Sequence, residues 1–303
     1  MNYNDQRFRH KARRIAFPLY NFDCKLEKLR LDENTVIQEL GEDSWYKPYL
    51  DKIEAGSKFY LTHEMEVLLD DPILEKLDDA RPYFERGQSI LRLFKPDLVY
   101  SSIYFVYLGY DDMKYAKSRV FHHYIPWGQW RPYVLQDKQI DRLKTFWHKY
   151  RNIDPDDFAL KRFWHGDIMP YDLDKLVDYT IALEHLFVPD GKVGEVGYKL
   201  KVRGAYMLAQ IPYLQAYQAY EDLSTLYKIR NYMVHGGRKK KEVAKILDDP
   251  GQCKEFIYRT REYVMYAIRI FYELGLLKNR EGRKKYLQGK VDRCLCHPQE
   301  DLV

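Results

Sequence analysis

The sequence predicts an α+β N-terminal domain followed by an all-α helical bundle. Three observations carry this. Short runs rich in Val, Ile, Tyr and Phe, separated by turn residues, dominate the first 130 residues. From residue 136 onward apolar side chains recur at intervals of three and four. Between them Pro126, Gly128 and Pro132 interrupt any regular pattern. The division expected is therefore 1–132, an α+β domain; 133–280, a helical domain; and 281–303, a basic C-terminal extension.

Residues 1–14 are basic and suit a helix or loose arm. Strands are expected over 15–20, 26–31 and 35–40, with Asp32, Glu33 and Asn34 as a turn. The stretch 59–69 fits strand or helix equally. Ala80, Phe84, Ile90, Leu91 and Phe94 are spaced for a helix over 78–94, which Lys95-Pro96-Asp97 ends. A strand is expected over 98–108, with 119–125 as its pairing partner. His122 and His123 are adjacent, so on a strand they face opposite ways and make poor joint ligands.

In the helical part, Ile140, Leu143, Phe146, Trp147 and Tyr150 mark one helix. Asp154 as N-cap with Pro155 at the first position starts the next, carrying Phe158, Leu160, Phe163 and Trp164. A third runs from about Asp172 to Val188 and stops at Pro189-Asp190-Gly191. A fourth spans 195–211, ended by Pro212. A fifth reaches His235, where Gly236-Gly237 is a stop signal. A long closing helix covers 256–274, and the basic run 278–290 suits a mobile extension or a second phosphate contact.

Composition bounds function. The four cysteines, Cys24, Cys253, Cys294 and Cys296, are scattered, which favours reduced thiols over a disulfide scaffold. Cys294, Cys296 and His297 could form half of a zinc site, but no second ligand cluster accompanies them, so no metal or other cofactor is expected. No apolar run approaches a membrane span and the polar N-terminus lacks a signal-peptide core, so a cytoplasmic protein without membrane contact is expected. Residues 201–303 hold 20 Lys and Arg against 12 Asp and Glu, a surplus of +8 where the whole chain has +5. The cationic surplus thus sits in the C-terminal third, which suits a phosphate-bearing partner. The 28 tyrosines supply area for cores and interfaces, or faces for stacking bases.

The stretch 219–237, AYEDLSTLYKIRNYMVHGG, concentrates the chemistry. Tyr220, Leu223, Tyr227 and Val234 form an apolar lane, and Arg230 falls inside it. A guanidinium there needs a partner or an anion, because a desolvated unpaired charge is costly. His235 follows five residues on, near enough to a helix end for a long Arg to reach it. Glu184 lies on an otherwise mostly apolar line of Leu173, Val177, Thr180 and Phe187. It wants a cation, with Arg203 and Arg230 as candidates. A buried ion pair that holds helices in register explains it as well as a part in catalysis does. Arg238, Lys239, Lys240 and Lys241 are either a solvated loop or an RNA-phosphate contact.

The Arg-Asn-x-x-x-His-Gly-Gly pattern resembles the HEPN ribonuclease motif. With YTIALEHLF at 179–187, EVGYKLKVRGAYMLA at 195–209 and LYKIRNYMVHGG at 226–237, the chain looks like the Apea-like branch of that superfamily over roughly 157–277. FPLYNF and SILRLF extend the likeness weakly into the N-terminal part. The resemblance implies a HEPN helical bundle, with Arg230 and His235 catalytic and Asn231 on phosphate or orienting His235. It also implies a homodimer in which two motif helices share one cleft, so that two His and two Arg face one RNA, tRNA or mRNA. The setting implied is bacterial phage defence, as a toxin restrained or triggered through the N-terminal domain by a regulator or a phage signal. Two other readings compete: a HEPN-like module that binds nucleic acid or a partner without cutting, and a structural role in which Arg230 pairs with Glu184 and His235 caps a helix.

Overall fold

The computed structural model describes residues 13–41, 58–65, 75–97, 103–110, 113–120, 133–191, 195–236 and 241–292. They show a small sheet with helices at the N-terminal end and a mostly helical C-terminal region. The described residues form two compact units that divide between Pro155 and Asp156.

In the first unit, β1 (Arg13–Leu19), β3 (Lys28–Arg30), β4 (Thr35–Glu39), β5 (Phe59–Met65), β6 (Ile103–Tyr110) and β7 (Met113–Val120) form one antiparallel sheet in the order β3-β4-β5-β1-β6-β7. The expected turn at Asp32–Asn34 closes the β3/β4 hairpin, where the Asp32 carboxylate accepts the Asn34 backbone N–H at 2.9 Å. Of the ambiguous stretch 59–69, Phe59–Met65 is strand, because β5 pairs with both β1 and β4, and 66–69 lie outside the described residues. The partner of β6 is β7, in register from Ile103↔Val120 to Tyr110↔Met113, so the expected partner at 119–125 is displaced toward the N-terminus. His122 and His123 lie outside the described residues, as do residues 1–12. Helix α1 (Glu75–Phe94) buries Phe84, Ile90, Leu91 and Leu93.

The sequence expectation ends this domain at 132, but the unit continues. Strand β8 (Tyr133–Leu135) pairs in parallel with β2 (Phe22–Cys24), stacking Tyr133 on Phe22 with ring centroids 5.4 Å apart. The buried Tyr133 hydroxyl donates to the Leu91 carbonyl at 3.0 Å. Helix α2 (Ile140–Tyr150) follows, and its Trp147 Nε1 donates to Asp32 at 2.7 Å. Those bonds tie the segment after residue 132 to the sheet.

The second unit holds α3 (Phe158–Ile168), α4 (Asp172–Phe187), α5 (Val196–Leu208), α6 (Ala216–His235), α7 (Lys241–Leu247), α8 (Pro250–Glu273) and α9 (Arg280–Tyr286), followed by a π-helical turn over Leu287–Asp292. Asp157, not Asp154, caps α3, accepting from the Ala159 and Leu160 backbone N–H groups. Helix α4 is the central rod: Leu176, Tyr179, Ala182, Leu183, Leu186 and Phe187 are buried, against neighbours that include α3, α6 and α8. Asp167 and Arg261 form a fully buried pair at 2.7 Å, with the Tyr179 hydroxyl donating to the same carboxylate. The expected C-terminal extension is in part structural: Leu287 and Val291 are buried, and Arg283 is 1% exposed. Among the described residues no helix is long and apolar enough to cross a membrane.

Candidate functional site

The site is built at the C-terminal end of α6. That helix is anchored by Ala219, Leu223, Leu226 and Ile229, all buried. The apolar lane expected through Tyr220, Tyr227 and Val234 is not the buried one; Val234 is 51% exposed. The buried stripe is rotated by about one residue, which places Arg230 at its edge instead of in its centre. Close packing against α5 fixes the helix. A Cβ at Gly204 would fall 2.5 Å from Leu223, and one at Gly197 would fall 2.5 Å from Tyr227. Gly236, at φ 68°, takes the left-handed conformation that ends α6 and leaves His235 exposed.

Arg230 is the hub. Its Nη1 lies 3.3 Å from His235 Nε2 and donates to Asn231 Oδ1 at 3.3 Å. Its Nε faces Glu184 Oε1 across 3.7 Å. That separation is an ion pair but too long for a hydrogen bond, and both atoms are buried without a hydrogen-bond partner. Burial pushes the Glu184 carboxyl up from its ordinary value, and the Arg230 charge only partly opposes this. A guanidinium can only donate, so a hydrogen bond between the two groups requires Nε2 of the imidazole to be the acceptor. The arrangement is thus an imidazole beside a permanent cation at an open helix end, backed by one poorly solvated carboxyl.

The other sequence-singled residues separate. Of the two cations considered for Glu184, Arg230 is the one that meets it. Arg203 is committed elsewhere: it bonds Asp190 at 2.7 Å, Asp292 at 2.8 Å and the Phe187 carbonyl at 3.1 Å. It is 1% exposed and clamps α5 to the turn after α4 and to the C-terminal segment. Lys241 opens α7 and is exposed. Arg238, Lys239 and Lys240 lie outside the described residues, and so do Cys294, Cys296 and His297. Among the described residues no group of three His, Cys, Asp or Glu is placed to hold a metal.

One pair escaped the sequence reading. His185, beside Glu184 on α4, sits with Nε2 2.9 Å from Arg283 Nη2. Burial first, then the Arg283 and Arg280 charges, push its pKa down to about 4. A sequence signal exists: Arg283, Leu287 and Val291 are four apart, the spacing of one helical face, at the end of the basic run expected as a mobile extension or a second phosphate contact.

Comparison with family models, with curated proteins and with solved structures returns no match.

Proposed function

We propose that this chain is a HEPN-type endoribonuclease of the Apea-like branch, acting in the cytoplasm as an effector of phage defence. The observation that carries the reading is the contact of Arg230 and His235 at the exposed end of α6, with Glu184 behind the guanidinium. RNA brings its own nucleophile, so the reaction needs no metal-activated water. A base removes the proton of the 2′-hydroxyl; the 2′-oxygen bonds to phosphorus; the bond from phosphorus to the 5′-oxygen breaks; and an acid protonates that leaving oxygen. The products are a 2′,3′-cyclic phosphate and a 5′-hydroxyl. An imidazole has one nitrogen that can accept a proton and one that can donate, so it can serve in either role. Arg230 offers a planar fork that matches phosphate. When phosphate takes that fork, the guanidinium leaves Nε2, and the base is released at the moment that substrate is bound.

One chain supplies one imidazole, whereas the reaction uses a base and an acid. A homodimer with two α6 ends across a cleft supplies both. The exposed Met233 and Val234 beside His235 are apolar surface of the kind a second copy would cover. Two guanidiniums in one cleft repel until an anion enters, which favours phosphate binding. Asn231 holds the Arg230 fork from the side. The exposed Lys241 adds positive charge for the RNA backbone, and the sequence places Arg238, Lys239 and Lys240 just before it.

A second reading, an RNA-binding module that does not cut, is favoured by the Arg230 contact itself, since it occupies the base nitrogen of His235. The two readings part on one experiment. Purified protein is incubated with RNA in excess chelator, alongside His235→Ala. The nuclease reading expects defined fragments from wild type and a loss of about 10²–10⁴ in rate for the variant, the usual worth of general acid–base help. Cleavage abolished by chelator, or retained by His235→Ala, would refute it. RNA retained on the protein without fragments favours the binding module.

A further inference from the structure

The first unit contains a cavity of about 180 Å³ between α1, the β3/β4 turn and the end of α2. We propose that it binds a small organic anion with an apolar body, of about the size of a substituted benzene ring. The volume suits this, since an engineered cavity of about 150 Å³ takes up benzene. Its lining includes the apolar Leu61 and Ile90 and the ring of Trp147. It also includes two guanidiniums, Arg86 and Arg151, and neither has a carboxylate within ion-pair distance among the described residues.

Arg86 is held in place without being neutralised. Its Nε donates to the Ile153 carbonyl at 3.1 Å, and its guanidinium lies 5.6 Å from the centre of the Tyr83 ring. The terminal nitrogens are left for another acceptor. Arg151 is exposed at the rim and makes no hydrogen bond to described residues. The acid of the wall, Asp32, does not supply the missing countercharge: one oxygen accepts Trp147 Nε1 at 2.7 Å and the other the Asn34 backbone N–H at 2.9 Å. Glu33 is exposed and pairs with neither Arg. An oriented guanidinium with open donors in a cavity that also has apolar lining is the recognition chemistry of an amphipathic carboxylate or phosphate. This assignment stands apart from the chemistry at α6.

Titration calorimetry on the full chain tests it, with benzoate, phenyl phosphate, benzyl alcohol and benzylamine as probes. Benzoate or phenyl phosphate should bind at least about tenfold tighter than the alcohol and the amine, and which of the two wins identifies carboxylate or phosphate as the anionic group. Arg151→Ala, at an exposed position without a partner, should leave the thermal midpoint in place and weaken the preferred anion by about tenfold, the effect of losing one charge-assisted bond. Arg86→Gln should weaken it further. Anions binding no tighter than benzyl alcohol would overturn the assignment, as would Arg151→Ala binding them like wild type.

Discussion

At the scale of single residues, the site at α6 is a contest for one guanidinium. Arg230 has Glu184 on one side and His235 with Asn231 on the other, and none of these contacts is short. A buried Arg with tight partners looks different: Arg203 has two carboxylates and a carbonyl between 2.7 and 3.1 Å, and Arg261 has Asp167 at 2.7 Å. Loose partners leave the Arg230 guanidinium freer to reorient than either of those two, as the proposed phosphate contact requires. His185 shows the opposite use of an imidazole beside an Arg. Its pKa is low because burial and two positive charges disfavour its protonated form. Between the ordinary value near 6.5 and about 4, the unfolded chain binds a proton at this site that the folded chain does not. Its contribution to stability is therefore whole above pH 6.5 and is lost as pH falls toward 4. Urea midpoints of wild type should drop between pH 7 and pH 5 by more than those of His185→Gln. Equal slopes for the two proteins would show that His185 protonates freely in the fold.

At the scale of elements, the position of α6 depends on two glycines of α5. Gly204→Val places side-chain atoms where Leu223 now lies, and overpacking of this kind costs about 1–3 kcal/mol. The thermal midpoint should fall, and RNA cleavage should fall with it even at temperatures where the variant is folded, because Arg230 and His235 ride on the displaced helix. A variant with lowered stability but wild-type cleavage below its midpoint would show that the site tolerates movement of α6. Most helices were legible because each buries one face at a regular period: Leu143, Phe146, Trp147 and Tyr150 on α2 are all buried, as the spacing required. The end of α6 was legible from Gly236, since few other residues take its backbone angle. What stayed hidden depends on partners distant in the chain. Strands β2 and β8 are three residues each, too short to show alternation, and exist because Phe22 and Tyr133 stack. Arg203 met Asp190 and Asp292, a choice between carboxylates that spacing does not encode. The face of α6 was misjudged because tyrosine is apolar enough to enter a pattern and polar enough to leave the core; Tyr220 and Tyr227 are only half-buried.

At the scale of the whole molecule, the two proposals fall on different units: the anion site on the first and the RNA chemistry on the second. The charge distribution agrees with that assignment, since the C-terminal third carries the cationic surplus. If two copies build one active cleft, the particle in solution should have twice the 36.6 kDa chain mass, and light scattering at working concentration measures this. A strictly monomeric, fully active protein would remove the shared cleft from the account. The most direct test of the central claim is the chemistry of the ends left on a cut RNA, determined by mass spectrometry. Attack by the 2′-hydroxyl leaves a 2′,3′-cyclic phosphate and a 5′-hydroxyl, and the account predicts those ends, absent with His235→Ala. Ends consisting of a 3′-hydroxyl and a 5′-phosphate would mean that water or a metal-bound hydroxide attacked instead, and would contradict it.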